Sequence, residues 1–192
     1  AVFLAGWTGI FGRLISLSGL PLVWYRMIIS VVVLFVMLAA MRRLHRTAMR
    51  AILKICGCGI LLALHWVAFF ASIQASNVSI GVACVATSCF FTTVFDPIVN
   101  RKRLQWKNVM LSFIAITGIL FIFSIDVRYR LGIALGLSCA ALYSLFSILN
   151  INVAKETNED SATMLMYELL GGVLFLTLCI PIYTAIYPDA PI

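Results

Sequence analysis

Apolar residues fill this chain in seven long blocks, at about 1–16, 22–41, 52–73, 78–98, 108–125, 131–151 and 162–187, with short polar segments between them. A helix crosses a bilayer's hydrocarbon core with roughly 20 such residues, at about 1.5 Å each. The pattern therefore predicts an all-α membrane protein, a polytopic bundle of about seven transmembrane helices. Loops of about four to ten residues make consecutive helices antiparallel neighbours. The first block opens on Ala1-Val2-Phe3-Leu4 inside an apolar run, and the last runs out at Pro188-Asp189-Ala190-Pro191. Both ends of the natural protein are expected to be missing. A secretory signal peptide is disfavoured, because Arg13 stands where a small-residue cleavage site belongs.

Composition narrows the choice of solvent. Hydrophobic residues make up 63% of the chain and charged residues 11%, too little polar surface to cover a soluble domain of this size. The partner implied is the lipid bilayer. Basic residues concentrate in alternate loops: Arg42, Arg43, Arg46, Arg50 and Lys54; then Arg101, Lys102, Arg103 and Lys107; then Lys155. The opposite side holds only Arg13, Arg26, Arg128 and Arg130. Lysine and arginine mark cytoplasmic loops, so the three richer loops are expected in the cytoplasm. The net charge of +7 then reflects topology, and no basic folded surface is left for nucleic acid.

The six cysteines all lie within apolar blocks, where a secreted disulfide framework would not put them. Cys56-Gly57-Cys58 lacks the usual metal-ligand spacing, and the histidines are only His45 and His65. Small residues at helix contacts explain the cysteines better. The same holds for Gly6, Gly9 and Gly12, for Gly132 and Gly136, and for Gly171 and Gly172. No metal and no cofactor is expected.

Two short matches suggest an internal repeat. Trp24-Tyr25-Arg26 near the start of the second block parallels Met166-Tyr167-Glu168 near the start of the seventh, and Gly6-Trp7-Thr8-Gly9 parallels Leu142-Tyr143-Ser144-Leu145. The units lie five spans apart. An odd offset reverses the direction of entry, which is the inverted-topology repeat of secondary transporters.

The stretch from Gly81 to Phe123 carries a small-residue helix, a Phe91-Thr92 step, Pro97, a basic loop with Arg103-Leu104 and a helix ending Gly118-Ile119-Leu120. With Arg26 early in the second helix and Gly6-Trp7 in the first, this order of elements resembles an EamA domain of the drug/metabolite transporter superfamily. The resemblance implies a ten-helix inverted-repeat transporter, with residues 1–126 as the first five-helix repeat and 127–192 as the first two helices of the second. It also implies a bacterial inner-membrane location. One departure is Lys102, which stands where the family usually has Glu before Arg-Leu. A chain lacking three helices is expected to be inactive by itself.

An ionisable group inside a span costs roughly 2.5–3.5 kcal/mol at the centre, so each one present is a candidate for function. Arg26 offers a fixed charge to an anionic substrate group, or snorkels to the headgroups. His65, near the middle of its span, can bind substrate or shuttle a proton, or simply bond a neighbouring helix. Glu168, the repeat counterpart of Arg26, is a candidate proton-coupling carboxylate. Asp96 suits an interfacial or packing role, and Pro97 marks a candidate hinge. Tyr25 and Trp66, with Trp24, Phe69 and Phe70, can line an aromatic cavity. The expected substrate-binding set is thus Arg26, His65, Trp66, Tyr25 and Glu168, converging on one cavity, with no catalytic residue.

These readings favour a secondary active transporter of a small metabolite or drug, working by alternating access. No ATP-binding motif is present, which leaves proton coupling or plain exchange. A homodimer is compatible with this reading. A membrane-embedded enzyme would need clustered nucleophiles and carboxylates, and Ser16-Leu17-Ser18-Gly19 has no histidine partner on its side. The alternative is a receptor or structural seven-helix protein; a retinal protein would need a lysine in the seventh span, and there is none.

Overall fold

The computed structural model describes residues 19–43, 47–104, 106–123 and 129–188. The helices are α1 (Gly19–Ala40), α2 (Met49–Ala75), α3 (Val78–Ala86), α4 (Ser88–Asn100), α5 (Trp106–Phe123), α6 (Arg130–Thr157) and α7 (Ser161–Ile186). The expected span 1–16, and with it the Gly6-Trp7 half of the repeat match, lies outside the described residues. Among those described, five segments are long and apolar enough to cross a membrane: α1, α2, α3 with α4, α6 and α7. The chain is a polytopic helical membrane protein. Ile29, Val32, Val33, Phe35 and Val36 of α1 stand exposed on the outside of the bundle, where a lipid-facing helix needs apolar groups.

The apolar block 78–98 predicts one helix, but the structure interrupts it at Thr87. The Thr87 hydroxyl donates to the Cys84 carbonyl at 2.5 Å, and Ser144 of α6 donates to the Ser88 carbonyl at 2.7 Å. Hydroxyls can satisfy backbone groups that a broken helix leaves exposed in lipid. Neither proline nor glycine stands at the break, which is why the apolar pattern runs straight through it.

The expectation that consecutive helices pack together also fails between α6 and α7. α2 packs chiefly on α6 and α7, α1 packs on α7, and α3 and α4 pack on α6, whereas α6 and α7 diverge from their turn. Asn158, in the left-handed conformation, ends α6, and Asp160 caps α7 by accepting from the Ala162 and Thr163 amides. A short turn fixes adjacency at one end only.

Small residues let α6 and α7 close on α2. Ser72 donates to the Gly132 carbonyl at 2.6 Å, and a Cβ on Gly136 would stand 2.9 Å from the Ser72 hydroxyl of α2 and 2.6 Å from the Cβ of Cys84 on α3. Such close backbone approach replaces the hydrophobic drive that lipid removes. Val23 and Met27 of α1, Ala63, Phe70 and Ile73 of α2, and Leu176 of α7 form the buried core.

Candidate functional site

Glu168 owes its place to a glycine. α2 and α7 touch at Gly59, where an added Cβ would collide with the backbone of Glu168, and at Gly171, where it would meet that of Cys56. Cys56 also donates its thiol to the Tyr167 carbonyl at 3.3 Å. The carboxylate is thereby carried into the bundle, where Glu168 is only 3% exposed and its side chain bonds that of Asn150 on α6.

Where α6 and α7 diverge, a cavity of about 650 Å³ opens between them, walled by α1 and α2 on the far side. Arg26, Trp66, Asn150 and Glu168 line it together with apolar side chains such as Leu62 and Phe146. It runs outward to Ala154 and Ser161, at the end of the bundle where α6 stops and α7 starts. Lys54 of α2 and Glu156 of α6 form an ion pair at that same end, and Asn152 donates to Asn100 at 2.6 Å. The volume falls within the roughly 300–1,000 Å³ of small-molecule sites, and so does the mix of apolar wall and few polar groups.

Arg26 lies with its guanidinium carbon 3.8 Å from the centroid of the Trp66 ring. That stacking gives the charge a polarisable face in place of water. Its Nη1 is buried with no hydrogen-bond partner. Arg26 and Glu168 do not pair with each other, and the ion pairs Lys54–Glu156 and Lys102–Asp96 lie outside the cavity.

Of the five residues expected to converge, the structure brings Arg26, Trp66 and Glu168 to the cavity and leaves His65 and Tyr25 off it. His65 is 5% exposed and its Nδ1 stands 3.1 Å from the Cys139 carbonyl of α6, with the Tyr143 ring at 5.0 Å. Its ring lies 5.3 Å from that of Trp66, but one residue is about 100° of helix, so His65 reaches the α6 backbone while Trp66 reaches the cavity. Tyr25 is exposed and packs edge-on against Trp24 at 4.8 Å. Trp24 itself donates to Thr177 at 2.8 Å, tying α1 to α7. Phe69 and Phe70 are core residues. Asn150 and Ser30 line the cavity without having been singled out; a lone Asn within an apolar block was the available signal for the first.

Asp96 accepts from Asn100 at 2.5 Å and pairs with Lys102 at 3.2 Å. These contacts tie down the end of α4 around Pro97, beside a small hollow of about 160 Å³. The six cysteines are free, and among the described residues no group of histidine, cysteine and carboxylate side chains is placed to hold a metal.

No curated protein and no solved structure matches the chain. A family model does, over residues 1–124, and that match spans the loop motif around Pro97 and Arg103-Leu104 as well as Arg26. A helical membrane bundle with a polar-lined cavity and this match together place the chain in the EamA-like transporter family, within the drug/metabolite transporter superfamily.

Proposed function

We infer that this chain belongs to a secondary active transporter that moves a small metabolite or drug across the membrane by alternating access. The observation that carries the reading is the cavity between α6 and α7, with Arg26 and Glu168 on its wall. Two ionisable side chains in an apolar bundle are costly unless a ligand, water or proton uses them. The mouth at Ala154 and Ser161 lies at the end of the bundle that carries the basic loops. With those loops in the cytoplasm of a bacterial cell, the cavity is open inward. Residues 127–192 then start a second, inverted repeat, with Glu168 answering Arg26. Proton coupling falls to Glu168, a carboxylate that exchanges its proton between the two access states. Arg26 and Trp66 hold the substrate, while His65 and Tyr25 support the helices around them.

The test is uptake by proteoliposomes holding the full-length protein, against a library of amino acids, sugars, nucleosides and cationic drugs. At least one compound should enter faster than into empty vesicles, and Leu62→Trp, which fills the cavity, should stop it. Uptake of every compound at the empty-vesicle rate, or uptake indifferent to Leu62→Trp, would refute the reading.

A further inference from the structure

The hollow beside Pro97 lies apart from the transport cavity, between the end of α4 and the start of α5. At about 160 Å³ it is smaller than the roughly 300–1,000 Å³ of small-molecule sites. Three charged side chains line it: Asp96, Lys102 and Arg103. The turn that ends α4 brings them together. Arg101 takes the left-handed conformation (φ 50°), and the Lys102 amide donates to the Pro97 carbonyl at 3.1 Å. Lys102 is thereby folded back onto Asp96, where its ammonium meets both carboxylate oxygens, at 3.3 and 3.2 Å. An ammonium has three N–H groups, so one remains beyond that pair. With the Asp96 charge matched by Lys102, Arg103 gives the hollow a net positive sign. Exposed Arg101 and Lys107 stand nearby in the chain and add to it.

The surroundings of this hollow are those of a bilayer's edge. It lies at the end of the apolar span Val78–Asn100. Both helices that frame it expose apolar side chains, Ile98 on α4 and Trp106, Met110 and Phe113 on α5. Tryptophan at a helix end marks the headgroup level, where lipid phosphates are concentrated. We propose that the hollow seats the phosphate of an anionic phospholipid. The Arg103 guanidinium supplies the planar fork that matches phosphate oxygens, and the third N–H of Lys102 stands beside it. Asp96 aims Lys102 and, as a carboxylate in the same hollow, holds the affinity down. This reading does not depend on what the transport cavity carries.

The experiment offers the full-length protein an equimolar mixture of phosphatidylglycerol and phosphatidylcholine with the same acyl chains, and native mass spectrometry reads what it retains. Phosphatidylglycerol should be kept at least about fivefold over phosphatidylcholine, the scale of one basic residue at an anionic surface. Arg103→Gln should remove most of that preference. Asp96→Asn should raise it, because Lys102 is then released to the phosphate, whereas a merely structural role for Asp96 would lower it. Arg50→Gln removes an exposed basic residue at the start of α2, away from the hollow, and should leave the preference within about twofold. Equal retention of the two lipids by the wild type overturns the proposal without any variant having to fold. Equal losses in Arg50→Gln and Arg103→Gln overturn it too, since they would mark a diffuse field of the basic loops. Lower preference in a folded Asp96→Asn does the same. Displacement of the bound lipid by millimolar inorganic phosphate would assign the hollow to a soluble anion instead.

Discussion

The Arg26 guanidinium and the Trp66 indole are stacked 3.8 Å apart, joining α1 to α2 at the inner wall of the cavity. A desolvated pair of this kind contributes about 2 kcal/mol, and an exposed one less than half of that. Trp66→Phe keeps an aromatic face with a weaker quadrupole. It should lower stability by about 1 kcal/mol. Trp66→Leu removes the face and should lower it further, with Arg26→Leu adding little on top. Thermal unfolding of the two singles and the double measures the coupling; strictly additive losses would mean the stacking contributes nothing.

Gly59 and Gly57 sit two residues apart on one helix and make opposite predictions. A Cβ at Gly59 meets the backbone of Glu168, while one at Gly57 meets nothing within 4 Å. Gly59→Ala should push α7 away and lower stability by about 1–3 kcal/mol. Gly57→Ala should be neutral, or stabilise by up to about 1 kcal/mol through helix propensity. Equal effects at the two positions would show that α2 and α7 do not meet at Gly59.

His65 donates from Nδ1 to the Cys139 carbonyl and stands off the cavity. His65→Leu should cost about 1 kcal/mol of stability by removing that extra bond between α2 and α6. Ligand affinity should stay within twofold of wild type, on the order of 0.4 kcal/mol. Calorimetric binding and unfolding on the same sample separate the two. A large affinity loss at unchanged stability would put His65 back among the substrate contacts.

If Glu168 exchanges the coupled proton, uptake must follow an imposed pH gradient in the wild type and ignore it in Glu168→Gln. The substitution keeps the size and the hydrogen bond to Asn150 while removing the titration. Substrate counterflow, which needs no net proton movement, should survive at a reduced rate. Gradient-driven uptake in Glu168→Gln equal to wild type would assign coupling to another group.

Helix existence could be read from the apolar blocks, because burial in lipid demands continuous apolar length and the described helices α1, α2, α6 and α7 supply it. Arg26 and Glu168 were legible for the complementary reason, since charge inside such a block stands out. His65 stood out as strongly, yet which face it serves depends on helix rotation, and the sequence carries rotation only through neighbours not yet placed. The Thr87 break left no signal because threonine interrupts through a local hydroxyl bond to Cys84, not through missing backbone chemistry. The divergence of α6 from α7 was hidden too. It follows from what each helix prefers on α2, namely Gly132 and Gly136 on one side and Gly171 on the other, and pairings of that kind are three-dimensional.

The contact of Gly59 with the backbone of Glu168 has a mechanical meaning. A carboxylate on a long, free side chain can follow a proton or a substrate without disturbing the helix that bears it. This one is anchored at its root, with no side-chain atom between the two backbones to act as a cushion. Any displacement of the Glu168 backbone is therefore a displacement of α7 along or away from α2. The missing carbon at Gly59 thus sets the spacing of the joint like a shim left out by design: α2 and α7 meet backbone to backbone there, and Glu168 cannot shift toward α2 without moving that helix as well.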